Sequence, residues 1–167
     1  QIDGYDTVKD AETIQSFIGY MPQKFGLYED LTVQQNLDLY ADLRGLPYKD
    51  KRETFQRLLD FTGLQPFTER LAGALSGGMK QKLGLACALI VTPRLLLLDE
   101  PSVGVDPISR RELWRMVQDL LDKGISVIWS TAYLDEAERC DEVLLLNEGK
   151  LLYAGLPGEL TKRVEGR

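Results

Sequence analysis

Two kinds of apolar run alternate along the chain. One kind is short and unbroken. Phe17-Ile18-Gly19-Tyr20-Met21, stopped by Pro22, is of this kind and reads as a strand. So do Leu95-Leu96-Leu97-Leu98 and Ile125 to Trp129. The four leucines are apolar at every position, which fits a strand covered on both faces, as in a parallel sheet.

The other kind recurs every three or four residues. Thr32-Val33-Gln34-Gln35 fits a capping box, and Val33, Leu37, Tyr40 and Ala41 carry the helix that follows until Gly45 and Pro47 close it. A second helix is expected from about Lys49 to Phe61, with Phe55, Leu58 and Leu59 on its buried face and Gly63 as its stop. Phe67 to Ala74 reads as irregular. Ser76-Gly77-Gly78 opens a third helix expected to reach about Val91, because Pro93 forbids more. Asp106-Pro107 looks like an N-cap with Pro at the first helical position. Leu113, Trp114, Val117, Leu120 and Leu121 form the stripe of that helix, and Gly124 ends it. Tyr133 to Arg139 reads as a short helix. Val143 to Leu146 and Leu151 to Ala154 flank the hairpin turn Asn147-Glu148-Gly149-Lys150, and a last helix is expected around Pro157 to Val164.

Strand, helical block, strand, helix, strand, helix, hairpin is the order of an α/β protein with an all-helical insertion from about Leu31 to Gly73. With the third helix included, residues 31–91 form a helical subdomain, and 1–30 with 92–167 the α/β part.

The chain of 167 residues is 44% apolar and 28% charged, a globular composition with enough length for a core. A net charge of −6 argues against nucleic acid as the main partner, since phosphate binding relies on clustered Lys and Arg. No histidine is present, which excludes a His base, proton switch or metal ligand supplied by this chain. Cys87 and Cys140 have no CxxC spacing and read as free thiols on helices. No apolar run reaches the roughly 18 residues that a membrane span needs, and no signal-peptide pattern opens the chain.

Two stretches carry chemistry. Leu75-Ser76-Gly77-Gly78-Met79-Lys80-Gln81 places a hydroxyl and bare backbone amides at the positive end of a helix dipole, an anion site. By itself it could equally be a serine N-cap with flexible glycines. Leu95 to Leu98 followed by Asp99-Glu100-Pro101 delivers two carboxylates at a strand tip. That arrangement suits Mg²⁺ chemistry, with Asp99 holding the ion through water and Glu100 orienting and deprotonating an attacking water. The plainer alternative is an acidic turn after a core strand.

Together with Ser102-Val103-Gly104-Val105-Asp106, these stretches closely resemble the ATP-binding domain of ABC transporters. LSGGMKQKL resembles the family's signature motif, LLLLDEP its Walker B motif, SVGVDP its D-loop, Tyr20-Met21-Pro22-Gln23 the step into its Q-loop, and LTVQQNL the LTVxxNL beyond. The resemblance covers essentially the whole chain, and its style is that of the ABC-2 or drug-export branch.

It implies a P-loop NTPase-like parallel sheet with a helical ABC subdomain, lacking the P-loop strand and the N-terminal antiparallel strands. ATP and Mg²⁺ are the implied ligands. Gln23 would sense Mg²⁺ and the γ-phosphate. Ser76, Gly77 and Gly78, with Met79 and Gln81 of the same motif, would bind the nucleotide held by an opposing domain. Asp99 would serve Mg²⁺, Glu100 would be the catalytic base, and Asp106 would tie the two domains together. The implied partners are a second ABC ATP-binding domain, in the same or a tandem chain, and membrane-spanning permease subunits touched by the helical block. The implied location is the cytoplasmic face of the membrane. The alternative is a non-transport or catalytically inactive regulatory ABC domain; the short segment from Gln23 to Ser76, without heptads, counts against the DNA-repair class.

The sequence departs from the family pattern twice. No GxxxxGK[ST] phosphate cradle is present, and Gln1-Ile2-Asp3-Gly4-Tyr5-Asp6 resembles the segment that follows it. The expectation is a chain truncated just downstream of the P-loop, rather than one that naturally begins here. It should bind ATP weakly and leave strand edges exposed. The second departure is Ala132, which stands where the family pattern STHxxxEAE has its switch histidine. Either the substitution is harmless, or this is the degenerate half of a pair whose partner turns over.

Overall fold

The structure, a computed structural model, describes residues 1–24 and 26–160. The chain forms two compact units, Gln1–Ser130 and Thr131–Arg167.

In the first unit, β1 (Ile18–Met21), β2 (Leu95–Asp99) and β3 (Ser126–Ser130) make a parallel sheet in that spatial order. Parallel neighbours need long crossovers. The first is the helical block α2 (Val33–Leu43), α3 (Tyr48–Thr62) and α4 (Gly77–Ala88), and the second is α5 (Pro107–Asp122). A short helix, α1 (Ala11–Phe17), precedes β1 and claims Phe17. Its one buried residue, Ile14, is too little to show as periodicity in the sequence.

The helix ends follow their capping chemistry. Thr32 Oγ1 accepts from Gln35 N at 3.1 Å, and Gln35 Oε1 accepts from Thr32 N at 2.9 Å, a complete capping box. The next amides of α2 find carbonyls of the irregular stretch: Val33 N donates to Arg70 O and Gln34 N to Thr68 O. Thus 3-10 turns at Gln65–Phe67 and Ala72–Ala74 interrupt a loop that satisfies a helix start. Asn36 is wholly buried; its amide nitrogen donates to Tyr28 O, Leu31 O and Thr32 O, pinning the turn ahead of α2. Gly63 ends α3 at φ 68°, left-handed backbone that glycine takes without strain. α4 stops at Ala88, short of the expected Val91, because Leu89 leaves helical geometry and Leu89 and Ile90 turn into the core.

Met21, Leu96 and Leu98 of the sheet share one core with Leu37, Leu58, Leu83, Leu85, Leu113 and Val117 of the helices. The two-sided cover expected for β2 is met on one side. Tyr20, Leu97 and Ile128 are register neighbours on the other face, where Tyr20 is 56% and Ile128 58% exposed. The helices whose side chains fill the core all pack on the Leu96–Leu98 side.

In the second unit, α6 (Leu134–Ala137) precedes an antiparallel hairpin of β4 (Val143–Asn147) and β5 (Lys150–Gly155). Glu148 and Gly149 both have positive φ, as a two-residue hairpin turn requires. Cys140 lies just beyond α6 rather than on a helix, whereas Cys87 is buried on α4. Helix is seen at 157–160; the rest of the helix expected to Val164 falls outside the described residues. Among the described residues, no helix is long and apolar enough to cross a membrane.

Candidate functional site

A parallel sheet brings its carboxyl tips to one edge, where α/β proteins usually bind ligands. Here that edge collects Gln23 after β1, Asp99 and Glu100 at the end of β2, and Ser130 at the end of β3. Gln23 Nε2 donates to Glu100 Oε2 at 2.7 Å. Ser130 Oγ donates to Asp99 Oδ1 at 2.7 Å and accepts from Glu100 N at 3.1 Å. The same Glu100 amide reaches Ser130 O at 3.1 Å. Glu100 itself sits at φ 46°, a conformation non-glycine residues adopt only where surroundings hold it.

The oxygens left over are hard donors: Asp99 Oδ2 and Gln23 Oε1 have no protein partner among the described residues. No group of three or more His, Cys, Asp or Glu able to hold a metal gathers among the described residues. A site with one carboxylate and one amide oxygen fits Mg²⁺, which keeps several waters and takes its other ligands from phosphates. It fits poorly a metal that needs an all-protein cage.

The glycine-rich helix start is a second, separate group. Ser76 caps α4, its Oγ accepting from Met79 N at 3.3 Å. Gly77 and Gly78 pack on the loop and helix that follow Glu100. A Cβ on Gly77 would lie 3.1 Å from Gly104 O, and one on Gly78 2.3 Å from Ser109 Oγ. Asp106 caps α5, accepting from Ile108 N and Ser109 N at 3.0 Å each. The Ser109 side chain and these amides hold its carboxyl below the ordinary range. The glycines are thus close-packing residues as well as a bare helix start. Ser76 remains exposed and Met79 half-buried. Gln81, grouped with the motif as nucleotide-binding, is 2% exposed and faces the core, so its side chain does not share the exposed surface of Ser76.

Ala132 belongs to the second unit and is exposed. Its turn is held from both sides: Thr131 Oγ1 donates to Glu136 Oε2 at 2.6 Å and accepts from Tyr133 N at 3.0 Å. Glu136 is 1% exposed, so this pin is shielded from water.

The family model for ABC transporters matches residues 1–103, which include the strand-tip carboxylates and the glycine-rich helix start. The chain belongs to the ABC transporter family. Over 164 residues it is 63% identical to the probable multidrug ABC transporter ATP-binding protein YbhF of Escherichia coli (strain K12), covering 98% of this chain and 28% of that protein. It is 36% identical to the daunorubicin/doxorubicin resistance ATP-binding protein DrrA of Streptomyces peucetius, covering 96% of this chain and 49% of DrrA. The chain therefore spans about a quarter to a half of the length of these relatives. Among solved structures, an ATP binding subunit of an ABC transporter matches with TM-score 0.81 and 30% identity, over 99% of this chain and 69% of that one. The α/β architecture is thus that of an ABC ATP-binding subunit.

Three side chains that matter to this ABC chain's geometry carry no motif signal of their own: Ser130, Ser109 and the buried Glu136. Ser130 was within reach of sequence reasoning. Aligning the apolar runs Leu95 to Leu98 and Ile125 to Trp129 tip to tip brings it beside Asp99, as the observed register does. Ser109 depends on how closely α4 and α5 approach, which no linear pattern encodes.

Proposed function

We propose that this chain is the ATP-binding and hydrolysing part of an ABC exporter, moving a small molecule through permease subunits and working paired with a second ABC ATP-binding domain. The observation that supports this reading best is the strand-tip cluster, in which Gln23 and Ser130 orient Glu100 and Asp99.

Asp99 Oδ2 and Gln23 Oε1 would hold Mg²⁺, which when bound neutralises charge developing on the phosphoryl oxygens. Gln23 occupies Glu100 Oε2 and so leaves Oε1 to accept the proton of the attacking water as its oxygen bonds to the γ-phosphorus and the bond to ADP breaks. Ser76 with the amides of Gly77 and Gly78 presents an anion-binding helix start to the partner's nucleotide, and Asp106 braces the loop between the two groups. Ala132 offers no imidazole to the γ-phosphate. That favours a second reading, in which this half hydrolyses slowly and mainly completes its partner's site.

ATPase assays on the assembled protein test both readings. Glu100→Gln should cut turnover by roughly 10²- to 10⁴-fold with nucleotide binding retained. Turnover at the wild-type rate in that variant would refute the role of Glu100. Ala132→His should raise turnover; no change would refute the slow-half reading.

A further inference from the structure

We propose that Ser130 is a positioning residue for both strand-tip carboxylates, one hydroxyl setting the Asp99 side chain and the Glu100 backbone together; this rests on the function proposed above. Ser130 pairs in register with Asp99 across parallel strands, so the two side chains leave the sheet on the same face. Its hydroxyl does two things at once. It donates to Asp99 Oδ1 at 2.7 Å, which fixes the carboxylate plane and leaves Oδ2 directed away from the serine. It accepts from Glu100 N at 3.1 Å, the amide of a residue held at φ 46°.

The direction of each bond is dictated. An ionised Asp99 carboxylate can only accept, so the serine proton is committed to it, and a serine lone pair remains for the amide. A hydroxyl satisfies both demands, and neither an alkyl group nor a second carboxylate does. Local structure does not account for the serine either, because serine is no better a strand former than the Val or Ile that fill the same strand. Without the hydroxyl, Asp99 could rotate about its terminal torsion and Glu100 N would keep only Ser130 O. Gln23 would then hold a glutamate whose backbone is less fixed. The consequence falls on the metal-facing oxygen and the proton-accepting oxygen together.

Thr and Val have nearly the same shape and differ by this hydroxyl, so Ser130→Thr and Ser130→Val form the decisive pair, with Ser130→Ala as a smaller third variant. Two readouts are taken on the protein as expressed from its own gene, assembled with its partners. The first is the Mg²⁺ concentration that gives half-maximal binding of a fluorescent ATP analogue. The second is ATP turnover at saturating Mg²⁺, resolved into kcat and KM. Ser130→Val and Ser130→Ala should each raise the required Mg²⁺ by about tenfold and lower kcat by about tenfold, the scale of one hydrogen bond to a charged group. KM and binding without Mg²⁺ should hold, and Ser130→Thr should stay near wild type. If Thr and Val behave alike in both readouts, the positioning role is overturned while the proposed function stands. If wild type itself shows no Mg²⁺-dependent nucleotide binding, the proposed function fails and this inference with it.

Discussion

Gly78 gives the sharpest test of how the glycine-rich helix start is built. An ideal Cβ there would lie 2.3 Å from Ser109 Oγ and 2.4 Å from Ser109 Cβ. Carbon pairs in good contact sit about 3.5–4.0 Å apart, so the overlap with Ser109 Cβ is about 1 Å or more. Rotating the serine hydroxyl away relieves the first clash but not the second, because Cβ is fixed to the α5 backbone. Gly78→Ala must therefore displace the first turn of α4 from α5, an overpacking cost of about 1–3 kcal/mol. Helix propensity acts the other way, by at most about 1 kcal/mol in favour of Ala. The clash wins, and the variant should be less stable by about 1–2 kcal/mol, the difference of those two terms. Ser109→Gly removes both offending atoms, so in the double variant the Gly78→Ala penalty should vanish and leave the propensity gain. Ser109→Ala, which keeps Cβ, should rescue only part. Urea unfolding followed by tryptophan fluorescence reads this region directly, since Trp114 on α5 and Trp129 on β3 stack with ring centroids 4.2 Å apart. A neutral or stabilising Gly78→Ala would refute the argument. So would effects of the two substitutions that add within about 0.5 kcal/mol.

Two further outcomes follow from the ionisable groups. Burial pushes the Cys87 thiol well above its ordinary range, whereas Cys140 is half-buried and raised by partial burial with help from the Asp141 and Glu136 charges. A thiol reagent at pH 8 should label Cys140 slowly and Cys87 only as fast as the protein unfolds, with equal native rates as the contrary result. The folded pKa of Asp106 is depressed, chiefly by its hydrogen bond with Ser109, so its contribution to stability is present above its ordinary value of 3.8 and is lost as pH falls through the depressed one. Asp106→Ala should therefore lower the urea midpoint at pH 7, and the gap to wild type should close in acid; a gap that persists unchanged there would show that the charge is not what caps α5.

What could be read in advance was what depends on local chemistry. Thr32, Ser76 and Asp106 cap helices as their neighbours in the sequence require, and Asn147 to Lys150 turns as expected, because a cap or a tight turn is decided within four or five residues. The helix-then-strand pairing of LSGGMKQKL with LLLLDEP marked both halves of the candidate site for the same reason. What could not be read depends on distance across the fold. The four leucines of β2 look alike in sequence. Leu96 and Leu98 are buried and Leu95 and Leu97 half-buried, a difference set by helices that pack on one side. Gly78 looked like a flexible anion-binding residue, and its second constraint appears only once α5 lies against it.

Ala132 combines the two cases. The local pattern marked the position as one that holds a switch histidine in the family, and the structure adds that the backbone around it is still built for a side chain. Thr131 and Glu136 close the turn through a hydrogen bond shielded from water, and Tyr133 N completes it, without any contribution from the side chain at 132. An exposed position on a turn pinned by its neighbours can change its side chain without changing its backbone. The substitution is therefore a loss of one functional group from an intact frame rather than the decay of a loop. That is why restoring histidine there tests chemistry and not folding.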